Sequence, residues 1–331
     1  MYELLGICLA LAALLTFNAI ASLLSALLWR ALGSRCQLWP AVTRARLLFA
    51  LRFIPAAAAL CVLALLLPAY VAYEPKHNAE PVSLKLGLLA AISAAGLLLA
   101  AWRGLAAWRA TRRLLKDWLR NADPIEMRDA SIPVYRLRHR FPVIAVVGAF
   151  RPRLFITDYL LDSLSREELA AAIAHECGHL ASRDNLKRAL LRVCRDVLTI
   201  LPCGRSLDRD WAEAAEAAAD EYAARKGGPA ALDLAAALVK IARLIPPGAK
   251  PIMPAGALLI GENAGGIAAR VTRLMQMASA GSSVASRAPA ITGALWFLFA
   301  SSVMAVLLAA FQSNWLVVIH LLIEAAVSTL Q

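Results

Sequence analysis

Histidine, acidic residues and paired cysteines are all scarce in this sequence. Only 5 histidines occur in 331 residues, and 23 Asp+Glu face 35 Lys+Arg. The 6 cysteines contain no CxxC pair and no framework of spacings, which excludes a disulfide-stapled fold. No internal repeat or collagen-like period is present. The excess lies elsewhere: 60% of the residues are hydrophobic, against roughly 45–50% in a soluble domain. That excess excludes a disordered chain and argues against an ordinary cytosolic globule. A formal charge of +12 would suit nucleic acid, but no DNA-binding motif accompanies it, so a bilayer is the expected partner.

Four stretches are apolar over the roughly 20 residues that a bilayer crossing needs. They are Leu4–Trp29, Phe53–Tyr73, Leu86–Trp102 and Ala290–Phe311. The first lacks a basic n-region and is too long for the apolar core of a cleaved leader, so it reads as a span. Trp315–Leu330 is interrupted by His320 and Glu324 and reads as an interfacial or packed terminal helix. Charge sets the orientation. The first loop carries Arg30, Arg35, Arg44 and Arg46 with no acid, and residues 104–288 hold 27 Lys+Arg against 19 Asp+Glu. Because Lys and Arg accumulate on the cytoplasmic side, the N-terminus is expected outside and residues 104–288 in the cytoplasm. The cluster Arg103, Arg109, Arg112, Arg113, Lys116 and Arg120 suits that orientation and contact with anionic lipid. The chain thus divides into three spans (1–103), a cytoplasmic domain (104–288), and a fourth span with a short tail (289–331). The expected fold class is a mainly α membrane protein of about four transmembrane helices with an inserted α+β domain.

Within residues 104–288, the β-branched runs Ile132–Leu137, Phe141–Val147 and Arg153–Thr157 read as two or three strands. Ser165 and Glu168 form a capping box that opens an Ala/Leu-rich helix to about Leu180. Asp184 reads as the N-cap of the next helix, which Pro202 ends. Asp210 and Glu213 read as a second capping box, and further helices are expected at about 230–244 and 263–279, around a Pro/Gly-rich loop at 245–261.

The first of these helices carries His175-Glu176-Cys177-Gly178-His179, an HExxH motif. Residues i and i+4 share one helix face, so both imidazoles reach one Zn²⁺ while Glu176 reaches its water. A hydrolytic zinc site needs a third protein ligand. His77, His139 and His320 are poorly placed for it, whereas Glu216 and Asp220 form an i, i+4 pair bedded in alanines. Glu216 is therefore the expected third ligand. Asp220 is the carboxylate expected to orient a metal-bound imidazole. Cys177 reads as packing.

These motifs, with Asp184 five residues after the second His, resemble the integral-membrane zinc metallopeptidases of gluzincin type. The approach Pro142–Asp162 is similar to the segment that precedes their catalytic helix. Three spans, a protease segment and a fourth span resemble the BlaR/MecR-like beta-lactam sensor-transducers; the heat-shock and CAAX-protease membrane peptidases share the same motifs. The resemblance implies a zincin-like domain, Zn²⁺ as cofactor and a bacterial inner-membrane location. It implies Zn²⁺ held by His175, His179 and Glu216, with Glu176 passing the water's proton to the leaving amine. An extended peptide would lie antiparallel to the strand at Ala145, Val146, Val147 and Gly148. Arg270 resembles a family Arg-hydrophobic-x-x-Leu element and could stabilise the oxyanion, as could Arg273 or Tyr222. The sensors carry a penicillin-binding domain after the fourth span. Here about 20 residues follow Phe311, without Ser-x-x-Lys, so direct beta-lactam sensing is not expected.

Two functions follow. One is a zinc endopeptidase acting on a protein substrate, either in signal transduction on a cytoplasmic transcriptional repressor or itself, or in membrane quality control. The other is a non-hydrolytic sensor that keeps the fold. A homodimer stays open, and nucleic acid is not an expected partner.

Overall fold

Each apolar stretch near the N-terminus becomes part of a helix longer than the stretch itself. A computed structural model describes residues 1–75, 81–127, 131–139, 141–196, 203–225, 228–245, 264–279 and 313–330, with isolated positions between 293 and 308. Helices α1 (Tyr2–Cys36), α2 (Ala41–Tyr73) and α3 (Leu84–Arg120) are long and apolar enough to cross a membrane. The expected fourth span, Ala290–Phe311, falls almost wholly outside the described residues, as do the 246–261 loop and Pro202.

The three helices pack through small and apolar side chains. Leu5, Cys8, Leu9 and Ala12 of α1 meet Leu66, Ala69 and Tyr70 of α2 and Leu86 and Ala90 of α3. The helix Ser313–Leu330 (α10) adds Ile323 and Val327 to this cluster, so the terminal segment is packed on these helices.

After α3 comes a four-stranded sheet of β1 (Ala122–Ile125), β2 (Val134–Leu137), β3 (Ile144–Val147) and β4 (Arg153–Thr157), in the order β1-β2-β4-β3. Only β2 and β4 run parallel. β1 was not expected, because Asp123 and Pro124 are poor strand formers; Pro is tolerated there because β1 is an edge. Ile144 and Val146 face a core shared with the helices described next, while Ala145 and Val147 pack with Phe155 and Trp118 of α3. β3 is therefore apolar on both faces.

The remaining helices are α4 (Asp158–Ser163), α5 (Arg166–Ala181), α6 (Asp184–Asp196), α7 (Cys203–Ala224), α8 (Gly228–Leu244) and α9 (Ala264–Ser279). The Ser165/Glu168 capping box opens α5 as expected. The expected start of a helix at Asp210 is not met, because α7 already begins at Cys203. Asp210 instead accepts the Trp29 indole N–H at 2.6 Å.

α7 has two occupied faces. Leu207, Trp211, Ala214 and Ala215 pack on Ala45, Leu48 and Phe49 of α2. Polar ties reinforce this contact: Arg52 pairs with Asp208 at 3.0 Å, and Glu221 accepts the free N–H of Ala41 at the start of α2 at 3.0 Å. The other face meets α5. A Cβ on Gly178 would lie 3.0 Å from Ala219 Cα and 3.1 Å from Tyr222 Cβ, so glycine is what lets the two helices approach. Gly178→Leu should force them apart at a cost of about 1–3 kcal/mol. Thermal denaturation of the detergent-solubilised chain should show a lowered midpoint; an unchanged midpoint would mean the contact is slack.

Candidate metal centre

α5 is held rigidly because its capping box satisfies the first turn and its alanines bury against α7, α8 and the sheet. It presents His175 and His179 with ring centroids 4.8 Å apart at 88°. His175 and Glu176 are buried, and His179 has 11% of its side chain exposed. α7 brings Glu216 opposite both rings. His175 Nε2 lies 3.5 Å from Glu216 Oε2, and His179 Nε2 lies 3.5 Å from Glu216 Oε1. One donor atom from each of the three residues can be chosen so that all lie within 4.8 Å of one another.

The other nitrogen of each imidazole is held by its own carboxylate. Asp220 lies 3.0 Å from His175 Nδ1, and Asp184 lies 2.8 Å from His179 Nδ1. Both Nε2 atoms are thereby turned toward Glu216. Asp184 does begin α6, but its carboxylate serves His179. Arg183, at φ +53°, makes the tight turn between the two helices. The motif spacing places Asp184 near; only the turn shows what it orients.

The donor set fits a zinc ion. Donors about 2.0–2.1 Å from a tetrahedral ion lie roughly 3.3 Å from one another, close to the 3.5 Å separations here. His175 Nε2 is also buried without a hydrogen-bond partner. A buried polar atom left so is costly unless something else satisfies it, and a cation would do so.

Behind the ligands stands a layer of charge from α9. Arg270 is 8% exposed and donates to Asp220 from Nε at 3.1 Å and from Nη2 at 2.7 Å, while Nη1 lies 3.3 Å from Glu216. Arg273 donates to the same Asp220 carboxylate, and Arg188 of α6 reaches Glu216 at 3.3 Å. Arg270 thus grips the carboxylates rather than extending alone toward a substrate. Tyr222 is partly exposed, on the α7 turn that meets Gly178.

Burial alone would raise the Asp220 and Glu216 carboxyls. The His175 bond and Arg270 hold Asp220 well below the usual carboxylate range, and the His179 charge and its bonds do so for Glu216. Burial works against a charge on His179, but Glu216, Asp184 and Glu176 prevail and raise it to about 10 in the metal-free protein.

Of the strand residues expected to bind substrate, Val146 donates its N–H to Glu176 Oε2 at 2.9 Å. Gly148 has φ +106°, and a Cβ there would lie 2.7 Å from Arg151 O, so glycine is required. Ala145 and Val147 are buried in the sheet core. Sequence reasoning missed Asn185, whose side-chain amide donates to Val146 O at 2.9 Å and Gly148 O at 3.2 Å. Nothing in its local sequence marks it. Of the remaining histidines, His77 lies outside the described residues, His139 accepts from Phe141 N, and His320 groups with Glu324 on α10 and with Glu74 just past the end of α2.

Residues 144–315 match the model of Peptidase family M48, a stretch that begins in β3 and ends in α10 and covers more than half of the chain. No curated protein matches the chain.

Two outcomes follow from this geometry. Arg270→Met removes the guanidinium shared by the buried Asp220 and the half-buried Glu216 and should cost about 3–5 kcal/mol, read as a lower midpoint of chemical or thermal denaturation. Arg270→Lys should restore only part of it, since a single ammonium cannot reproduce the forked contact. Zinc needs a neutral His179, so the metal-free protein must release that proton on binding. Zinc affinity should therefore climb about tenfold per pH unit up to about 10. Calorimetric titrations at one pH in buffers of different ionisation heat should show about one proton released. The same proton stabilises the metal-free fold, fully below about 6.5, and that stability is lost as pH rises through about 10.

Proposed function

The chain belongs to peptidase family M48, whose members are in general zinc-dependent metallopeptidases, and we propose that it is a membrane-anchored zinc endopeptidase. The observation that carries the reading is the arrangement of three donors from two helices, with each imidazole backed by its own carboxylate.

In this reading His175, His179 and Glu216 hold the ion, while Asp220 and Asp184 accept the Nδ1–H of the two rings and keep each Nε2 aimed at it. Bound zinc supplies a Lewis acid for the scissile carbonyl and acidifies a water. Glu176 is the base that takes the attacking water's proton and delivers it to the leaving amine. Its carboxylate is steadied by Val146 N–H, which places it between the substrate strand and the ligand helix. Arg270 keeps Asp220 and Glu216 ionised, so that one orients and the other ligates. Oxyanion stabilisation by Arg270, Arg273 or Tyr222 stays a proposal. The occupied base position favours hydrolysis over a non-hydrolytic sensor.

The proposed division is spans at 1–103, a peptidase segment at 104–288 and a fourth span with a tail at 289–331. The basic stretch Arg30–Arg46, which ends α1 and begins α2, leads into the part of α2 that packs on α7, which supports putting that stretch and the peptidase on one side of the bilayer. By charge, that side is the cytoplasmic face, and the family resemblance suggests a bacterial inner membrane. A BlaR/MecR-like role in cleaving a cytoplasmic repressor, or the chain itself, is the regulatory form of the proposal. Quality control of membrane proteins is its competitor, and both need the same chemistry.

Zinc content and cleavage of casein by the detergent-solubilised chain test the reading. Glu176→Gln should keep stoichiometric zinc and lose about 10²–10⁴-fold in rate. Equal cleavage by wild type and variant would overturn it.

A further inference from the structure

β3 lies at one end of the strand order, and among the described residues no strand pairs with its outer side. Thr157 N donates to Val143 O, so the odd residues of this run turn their polar groups toward β4. Alternation then turns those of Ile144, Val146 and Gly148 outward. The outward groups at 146 and 148 are taken by side chains. Glu176 accepts from Val146 N–H at 2.9 Å, and the single amide of Asn185 donates to Val146 O at 2.9 Å and to Gly148 O at 3.2 Å.

An extended peptide added antiparallel to this edge would need the two carbonyls that Asn185 holds. Its N–H groups would donate to Val146 O and Gly148 O, while Val146 N–H stays with Glu176. An uncovered edge would also template unwanted pairing with other chains. Asn185 covers it from the first turn of α6, one residue after the Asp184 that holds His179. Neighbouring residues of one turn therefore serve the metal side and the substrate side of the cleft.

We infer that Asn185 is an edge cap: it stands in for a substrate's backbone on β3, and a peptide docks only by displacing it. The inference rests on the peptidase reading above. Displacement exchanges two side-chain bonds for two backbone bonds, so it favours extended segments whose facing positions carry N–H. Proline at those positions would displace the cap without replacing its bonds. Asn185 acts on affinity through the strand, as a specificity-determining residue, and takes no part in proton transfer.

The test uses the full chain in detergent, stripped of metal with EDTA so that nothing is cleaved. A fluorescein-labelled extended peptide of alternating Ala and Thr is titrated, with fluorescence anisotropy as the readout. Asn185→Ala should bind it roughly three- to tenfold more tightly than wild type, about the worth of one net hydrogen bond. Asn185→Ser, which keeps a short hydroxyl donor, should fall between the two and guards against misfolding of the Ala variant. A peptide with Pro at alternate positions should bind weakly to all three proteins. With zinc restored, KM for casein should fall by a similar factor while kcat holds within about twofold. Equal or weaker binding by both variants, or no binding by any protein, would overturn the inference and leave Asn185 a structural brace. Tighter binding without cleavage by zinc-loaded wild type would uphold the cap and sink the peptidase reading. Cleavage by wild type without the affinity gain would do the reverse.

Discussion

A fully buried carboxylate, that of Asp220, governs how this structure is assembled. Burying a charge costs several kcal/mol unless partners surround it, and here they arrive from two other helices. Arg270 and Arg273 come from α9, His175 comes from α5, and Asp220 itself sits on α7. Satisfying that one group fixes the relative placement of all three helices. One turn earlier on α7, the same packing sets Glu216 opposite the two imidazoles. The donor cluster is thus a consequence of neutralising Asp220.

The opposite face of α7 belongs to the apolar helices. Asp208, Asp210 and Glu221 on α7 are engaged by Arg52, Trp29 and the Ala41 N–H, all on α1 or α2. Between those ties lies an apolar contact built on Leu48, Phe49 and Trp211. The helix that carries two of the site's carboxylates therefore shares a core with helices long and apolar enough to cross a membrane. The donor cluster and the apolar helices share one element, α7.

Much of this was legible in order along the chain. The HExxH face, the Ser165/Glu168 capping box and three apolar helices are local patterns, set by spacing within one element. Glu216 and Asp220 were legible because they form an i, i+4 acidic pair on an alanine-rich helix. β1 was missed because its Pro124 is tolerated only at a sheet edge, and being at the edge is a property of the whole sheet. The start of α7 was misplaced because Asp210 has the chemistry of a cap, but a distant indole claims it.

Residue type and short-range periodicity were enough to determine which helix carries the two imidazoles, where three long apolar helices lie, and which carboxylate could join the imidazoles in holding a metal. Tertiary structure decided which partner each of these side chains meets. Asp184 meets His179 as well as starting a helix, Arg270 meets two carboxylates, and Asn185 reaches the carbonyls of β3. The physical reason is that a carboxylate, guanidinium or amide looks the same in sequence whichever partner it takes. Partner choice is settled only where burial removes water as the competing partner.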